Sequence, residues 1–156
     1  MTNVDNTYSM TNVGSVVVAV HTHGSAQGTV DGICAAVEGL SQTRAEGVAV
    51  FLVLHSGAKP PDTESRTKLV ELMRSRRSAV VTFAVVMLGT GFWAAAARSV
   101  LTFMSLASGL PVKVFCEADD AHAWVIEKLP NVGDLDEAAL RRAVREGVRV
   151  SHSRTG

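Results

Sequence analysis

The amino-acid sequence predicts an α/β protein: a mostly parallel sheet of four to five strands with helices packed on it, plus a C-terminal helical extension. Three observations carry that expectation. Short β-branched runs alternate with stretches of helical period along the whole chain, the pattern of successive strand–helix units. Residues 48–54, "VAVFLVL", are apolar at every position, as in a strand covered on both faces. The 156 residues, 47% of them hydrophobic, fit one domain that buries its core without metals or disulfides.

In chain order, residues 1–12 are expected to be disordered, followed by a strand over 13–23, or by two strands joined by a bend near Gly14. Residues 27–42 place Val30, Ile33, Val37 and Leu40 on one helical face, weakened by Gly28, Gly32 and Gly39. After the strand at 48–54, a helix over 63–76 turns Leu69, Leu72 and Met73 inward, with Asp62 or Thr63 as its N-cap. A β-branched strand over 80–88 and an Ala-rich helix over 91–108 follow, divided by the Gly-Thr-Gly at 89–91. Pro111 breaks to a short strand at 112–116.

Asp119 or Asp120 is expected to cap the next helix, which carries Ala121, Trp124, Val125 and Leu129 on one face. Asp134 with Glu137 makes a capping box for a last helix to about Gly147. Its Arg141, Arg142 and Arg145 form a solvated face, with Glu137 and Arg141 spaced as an ion pair. The expected organisation is one domain over 13–129 and a helix with a tail over 130–156.

Composition excludes several classes. Lys plus Arg equals Asp plus Glu at 15 each, so the basic surplus of a nucleic-acid-binding domain is missing and no nucleic-acid partner is expected. Cys34 and Cys116 have no metal-ligand spacing, and no cofactor is expected. Residues 1–14 lack the cationic start and apolar run of a signal peptide, which makes the cytoplasm the expected location. Residues 79–97 carry no charge, follow the basic "RSRR", and are long enough to cross a bilayer. Yet Gly-Thr-Gly separates a strand-like half from a helical half, and Arg98 ends the run. A buried strand and a packed helix are therefore expected instead of a membrane span.

The stretch "GLPVKVFCEADDAHAWV" (109–125), preceded by an apolar helix, resembles the C-terminal half of small bacterial STAS-like proteins, distant relatives of anti-sigma-factor antagonists. "VAVHTHG" (18–24) and "VAVFLVLHSGAKPPDTESR" (48–66) extend the resemblance over residues 13–129. It implies a STAS-like sheet and a non-catalytic binding or regulatory module. In anti-sigma-factor antagonists the strand equivalent to 48–54 leads to a helix start with a phosphorylatable serine in an Asp-Ser-Ser-Gly-like turn. Here the equivalent stretch is "PPDTESR", which offers Thr63 and Ser65 as hydroxyls.

Phosphate on Thr63 or Ser65 would lie at a helix N-terminus, which favours it, beside Asp62 and Glu64, which oppose it. The simpler reading of the stretch is a helix cap. His21, His23 and His55 fall near the carboxyl ends of two strands and, with Asp31 or Asp62, compose a candidate zinc site of a metal-dependent enzyme. H-x-H without a fixed third ligand is a weak signal, so no metal is expected. Cys34 lies in a helical face, and Ser56 beside His55 has no evident orienting acid. Phe92, Trp93, Leu101, Phe103, Met104 and Leu106 surround most of one helix. That predicts a protein partner or homodimer, or a small apolar ligand carried as by a lipid-binding protein, unless the C-terminal helix covers this surface.

Overall fold

A computed structural model describes residues 8–44, 46–59, 61–76, 79–88, 112–130 and 135–149, together with 95, 98, 99, 101, 102, 106, 109 and 133. Tyr8–Val13 (β1) and Val16–Gly24 (β2) pair antiparallel, with Val13 opposite Val16 across a two-residue turn. Gly14 supplies the positive φ of 56° that such a turn requires. The bend expected near Gly14 is this turn. The disorder expected over 1–12 is corrected from residue 8 onward, because β1 pairs with β2 along its whole length.

Gln27–Thr43 (α1), Val48–Ala58 (β3), Thr63–Ser75 (α2) and Val80–Leu88 (β4) follow. Val112–Phe115 (β5), Ala118–Lys128 (α3) and Glu137–Arg149 (α4) complete the described elements. The sheet has the order β1-β2-β3-β4-β5, and β2 to β5 are parallel neighbours. β1 also packs on α1: a Cβ at Gly28 would fall 2.7 Å from Tyr8, and one at Gly32 would fall 2.8 Å from Met10. Glycines that weaken the helix locally thus admit the side chains of the edge strand.

Strand alternation divides the core into two layers. Val17, Ala19, Val50, Leu52, Phe83 and Val85 share one cluster with Val30, Ile33 and Val37 of α1 and Leu69, Leu72 and Met73 of α2. Val18, Val20, Phe51, Val53, Ala84 and Val86 share the other with Ala121 and Val125 of α3 and Leu140 and Val144 of α4. The C-terminal helix is therefore a covering layer. At Gly147 it approaches β2 so closely that a Cβ would lie 2.6 Å from Val20 Cγ2.

Several local expectations are corrected. β3 runs to Ala58, so His55 to Ala58 belong to the strand and only residues 59–62 connect it to α2. Glu117 occupies the N-cap of α3 without a side-chain cap bond, while Asp119 and Asp120 lie in the first turn. Asp136 caps α4 by accepting from Ala139 N at 3.0 Å; Asp134 is outside the described residues. Arg141 reaches across to Asp119 at 3.9 Å. Trp124 is half-buried and packs tilted on Phe115, with centroids 5.5 Å apart, under the Lys113 ammonium. Of the helix expected over 91–108, Ala95, Arg98, Ser99, Leu101, Thr102 and Leu106 are helical. Among the described residues no helix is long and apolar enough to cross a membrane, and residues 80–88 are β4 within the sheet.

Candidate functional site

The parallel strands β2 and β3 end side by side, His23 opposite Gly57 and Gly24 opposite Ala58, where the chain turns into α2. Asp62 is the N-cap of α2: its Oδ1 accepts from Ser65 N at 2.8 Å. That bond, strengthened by the Ser65 side chain and by Arg66 and Lys68, holds the Asp62 carboxyl below the usual range. Of the two residues expected to cap, Asp62 is the one that does.

The two candidate hydroxyls differ sharply. Thr63 is exposed, and its Oγ1 accepts from Arg66 Nη2 at 3.3 Å. Ser65, in the same first turn, is only 2% exposed and faces the protein interior. Thr63 is thus open to solvent with the helix intact, whereas Ser65 is not.

A groove of about 460 Å³ runs between α1 and the part of α2 beyond its first turn, lined by Asp31, Cys34, Glu38, Lys68, Glu71 and Leu72. Lys68 spans it, 3.0 Å from Asp31 and 3.9 Å from Glu64. The bond and charge of Asp31 push the Lys68 ammonium up, so it stays a cation throughout the physiological range. Burial, with Asp31 and Glu38 adding, pushes the Cys34 thiol up. Cys34 is therefore a protonated thiol, poorly suited to nucleophilic attack.

The three histidines do not converge. His21 Nε2 donates to the Gly24 carbonyl at 3.1 Å, which leaves Nδ1 to accept from Thr29 Oγ1 at 2.9 Å. His55 Nε2 donates to the Gly147 carbonyl at 2.7 Å, on the α4 side. His21 follows the alternation of Val17 and Ala19, and His55 that of Phe51 and Val53, so they project from opposite faces of the sheet. His23 is exposed, with Nδ1 3.1 Å from Thr22 Oγ1. The zinc site composed from His21, His23 and His55 is corrected on this ground. Among the described residues no cluster of His, Cys, Asp or Glu is placed to hold a metal ion.

An apolar cavity of about 40 Å³ lies at the same strand ends, bounded by His21, Thr29, Leu52, Pro61, Leu69 and Leu101. Sites for organic ligands run to ~300 Å³ or more. Phe92, Trp93, Phe103 and Met104, expected as an apolar interface or ligand surface, lie outside the described residues. Near them, Leu101 is buried and Leu106 is 81% exposed.

His122 belongs to no motif in the sequence. It is 5% exposed, and neither ring nitrogen has a hydrogen-bond partner among the described residues. Burial pushes its pKa down, Arg141 adds to the effect, and Glu137 and Asp119 oppose it. The available signal was its place three residues before Val125, on the inward edge of α3. Cys116, exposed after β5, accepts from Arg98 Nη2 at 3.1 Å. Compared with protein-family models and with curated proteins, the sequence matches none.

Proposed function

We propose that the protein is a non-catalytic STAS-like binding module that meets a protein partner through the start of α2 and the adjoining α1–α2 groove. The observation that carries this reading is Thr63: an exposed hydroxyl in the first turn of α2, held by Arg66, immediately beyond a strand in the middle of the sheet. Anti-sigma-factor antagonists, which the sequence resembles, carry their phosphorylatable serine at the equivalent helix start. The antiparallel hairpin followed by parallel strands supports the same likeness. A phosphate on Thr63 would meet the Arg66 guanidinium and the positive end of the α2 dipole, against repulsion from Asp62 and Glu64. Such a change alters partner affinity at a surface that already carries opposed charges, the Lys68 ammonium and the Asp31, Glu38 and Glu71 carboxylates.

Crosslinking of the protein in its own cells, with phosphopeptide mapping of the same sample, tests this. Crosslinks to a partner from Lys68 or the neighbouring α1–α2 face are expected, with phosphate on Thr63 and none on Ser65. Crosslinks confined to α3, α4 or β5 would overturn the docking surface, and phosphate on Ser65 alone would overturn the assignment of Thr63. A second copy of the chain as the crosslinked partner would make the module a homodimer through this face.

A further inference from the structure

We propose that His122 is a pH sensor that controls how α4 docks on the sheet. The ring is buried where α3 meets α4, with both nitrogens unpartnered among the described residues. A neutral imidazole tolerates that site, since it forgoes hydrogen bonds without carrying charge. An imidazolium does not, because a buried cation needs acceptors or water for both N–H groups.

Burial and the Arg141 cation make protonation harder, while Glu137 and Asp119 oppose them. Arg141 of α4 contributes a cation, and it is itself 3.9 Å from Asp119, an acid on the sensor's own helix. Glu137, in the first turn of α4, is the remaining acid and only partly offsets Arg141. β4 beneath α3 has no ionisable side chain. Lys113 of β5 sits over the Phe115 and Trp124 rings. A protonated His122 therefore gains solvation only by parting α3 from the N-terminal half of α4. The other end of α4 is held by the bond from His55 to Gly147, so the helix swings about that end and exposes the apolar side that carries Leu140 and Val144.

The docked state holds His122 below its ordinary value of about 6.5. As pH falls through about 6.5 the open state takes up a proton that the docked state refuses, so docking weakens until the lowered docked pKa is reached. One proton changes the ratio at most ~10-fold per pH unit.

Hydrogen exchange and ring NMR on the full chain test this together. The His122 ring is expected to titrate below about 6.5. Protection of the α4 amides, corrected for intrinsic exchange, is expected to fall several-fold between about pH 7.5 and 5, with α1 and α2 unchanged and the dependence gone in His122→Leu. Arg141→Gln, an exposed change, must weaken the dependence by removing repulsion and freeing Asp119. A ring titrating at or above about 6.5 would overturn the proposal. So would a dependence that survives His122→Leu, is unaltered by Arg141→Gln, or spreads equally to α1 and α2.

Discussion

His55 and Gly147, ninety-two positions apart, are joined by a 2.7 Å hydrogen bond from Nε2 to the carbonyl oxygen. The acceptor belongs to the last turn of α4, where helix carbonyls have no amide four residues ahead to bond. A histidine near the carboxyl end of β3 thus satisfies an orphaned carbonyl on the helix that covers it, while its burial excludes water from the bond. The same residue that suggested metal chemistry in the sequence is a fastening between two distant parts of the chain.

Gly147→Ala tests that fastening. The added Cβ would meet Val20 Cγ2 at 2.6 Å and displace α4 from His55. Alanine gains about 1 kcal/mol in helix propensity, and overpacking costs about 1–3 kcal/mol. A net loss of up to about 2 kcal/mol in urea unfolding is expected; a gain would mean that α4 shifts freely over β2.

Phe51 and Trp124 should separate. Phe51 is fully buried, so Phe51→Ala should lower stability by about 3–5 kcal/mol. Trp124 is half-buried against Phe115, and Trp124→Ala should cost only about 1–2 kcal/mol. Equal losses in the two variants would place Trp124 in the core after all.

Negative charge at the α2 start gives a third contrast. Thr63→Asp puts a carboxylate beside Arg66 on an exposed first turn and should move stability by no more than about 0.5 kcal/mol. Ser65→Asp buries a charge at a site 2% exposed and should cost more than about 2 kcal/mol. Thermal unfolding of the two variants side by side would reveal any reversal.

Acid should dissolve the α2 cap. Asp62 has a lowered native pKa because its carboxylate accepts from Ser65 N, so its contribution is complete above the unfolded value of about 3.9 and is lost as pH falls through the native one. Asp62→Ala should lower the unfolding midpoint at neutral pH, and the difference from the parent protein should shrink steadily below about pH 4. A difference that persists in strong acid would show that the cap does not act through the ionised carboxylate.

Much of this architecture was legible because apolar content marks a layered α/β protein at every buried strand. β3 and β4 are hydrophobic on both sides, and α1 and α2 bury the face their spacing indicates. β1, "YSMTNV", escaped because an edge strand needs no apolar run; its backbone pairs with β2, and Tyr8 and Met10 meet α1 at Gly28 and Gly32. The histidine geometry was illegible for a different reason. Which face His21 or His55 occupies depends on alternation through a parallel register, and His23 stands beyond a register shift in β2. Asp134 and Asp136 both precede the helix in sequence, and the bond from Ala139 N identifies Asp136 as a cap. His122 was hidden by its neighbours, since one position along a helix decides between solvent and core.

The two layers of the core also differ in when synthesis completes them. The side built with α1 and α2 draws mainly on residues 17–87, a local succession of strand and helix. The opposite side needs Leu140 and Val144, which follow every described strand in the chain. On a ribosome, the nascent sheet can close one side while Val18, Val20, Phe51 and Val53 still face water on the other. A chain lacking α4 leaves that apolar layer open to water, and the arrival of α4 closes it.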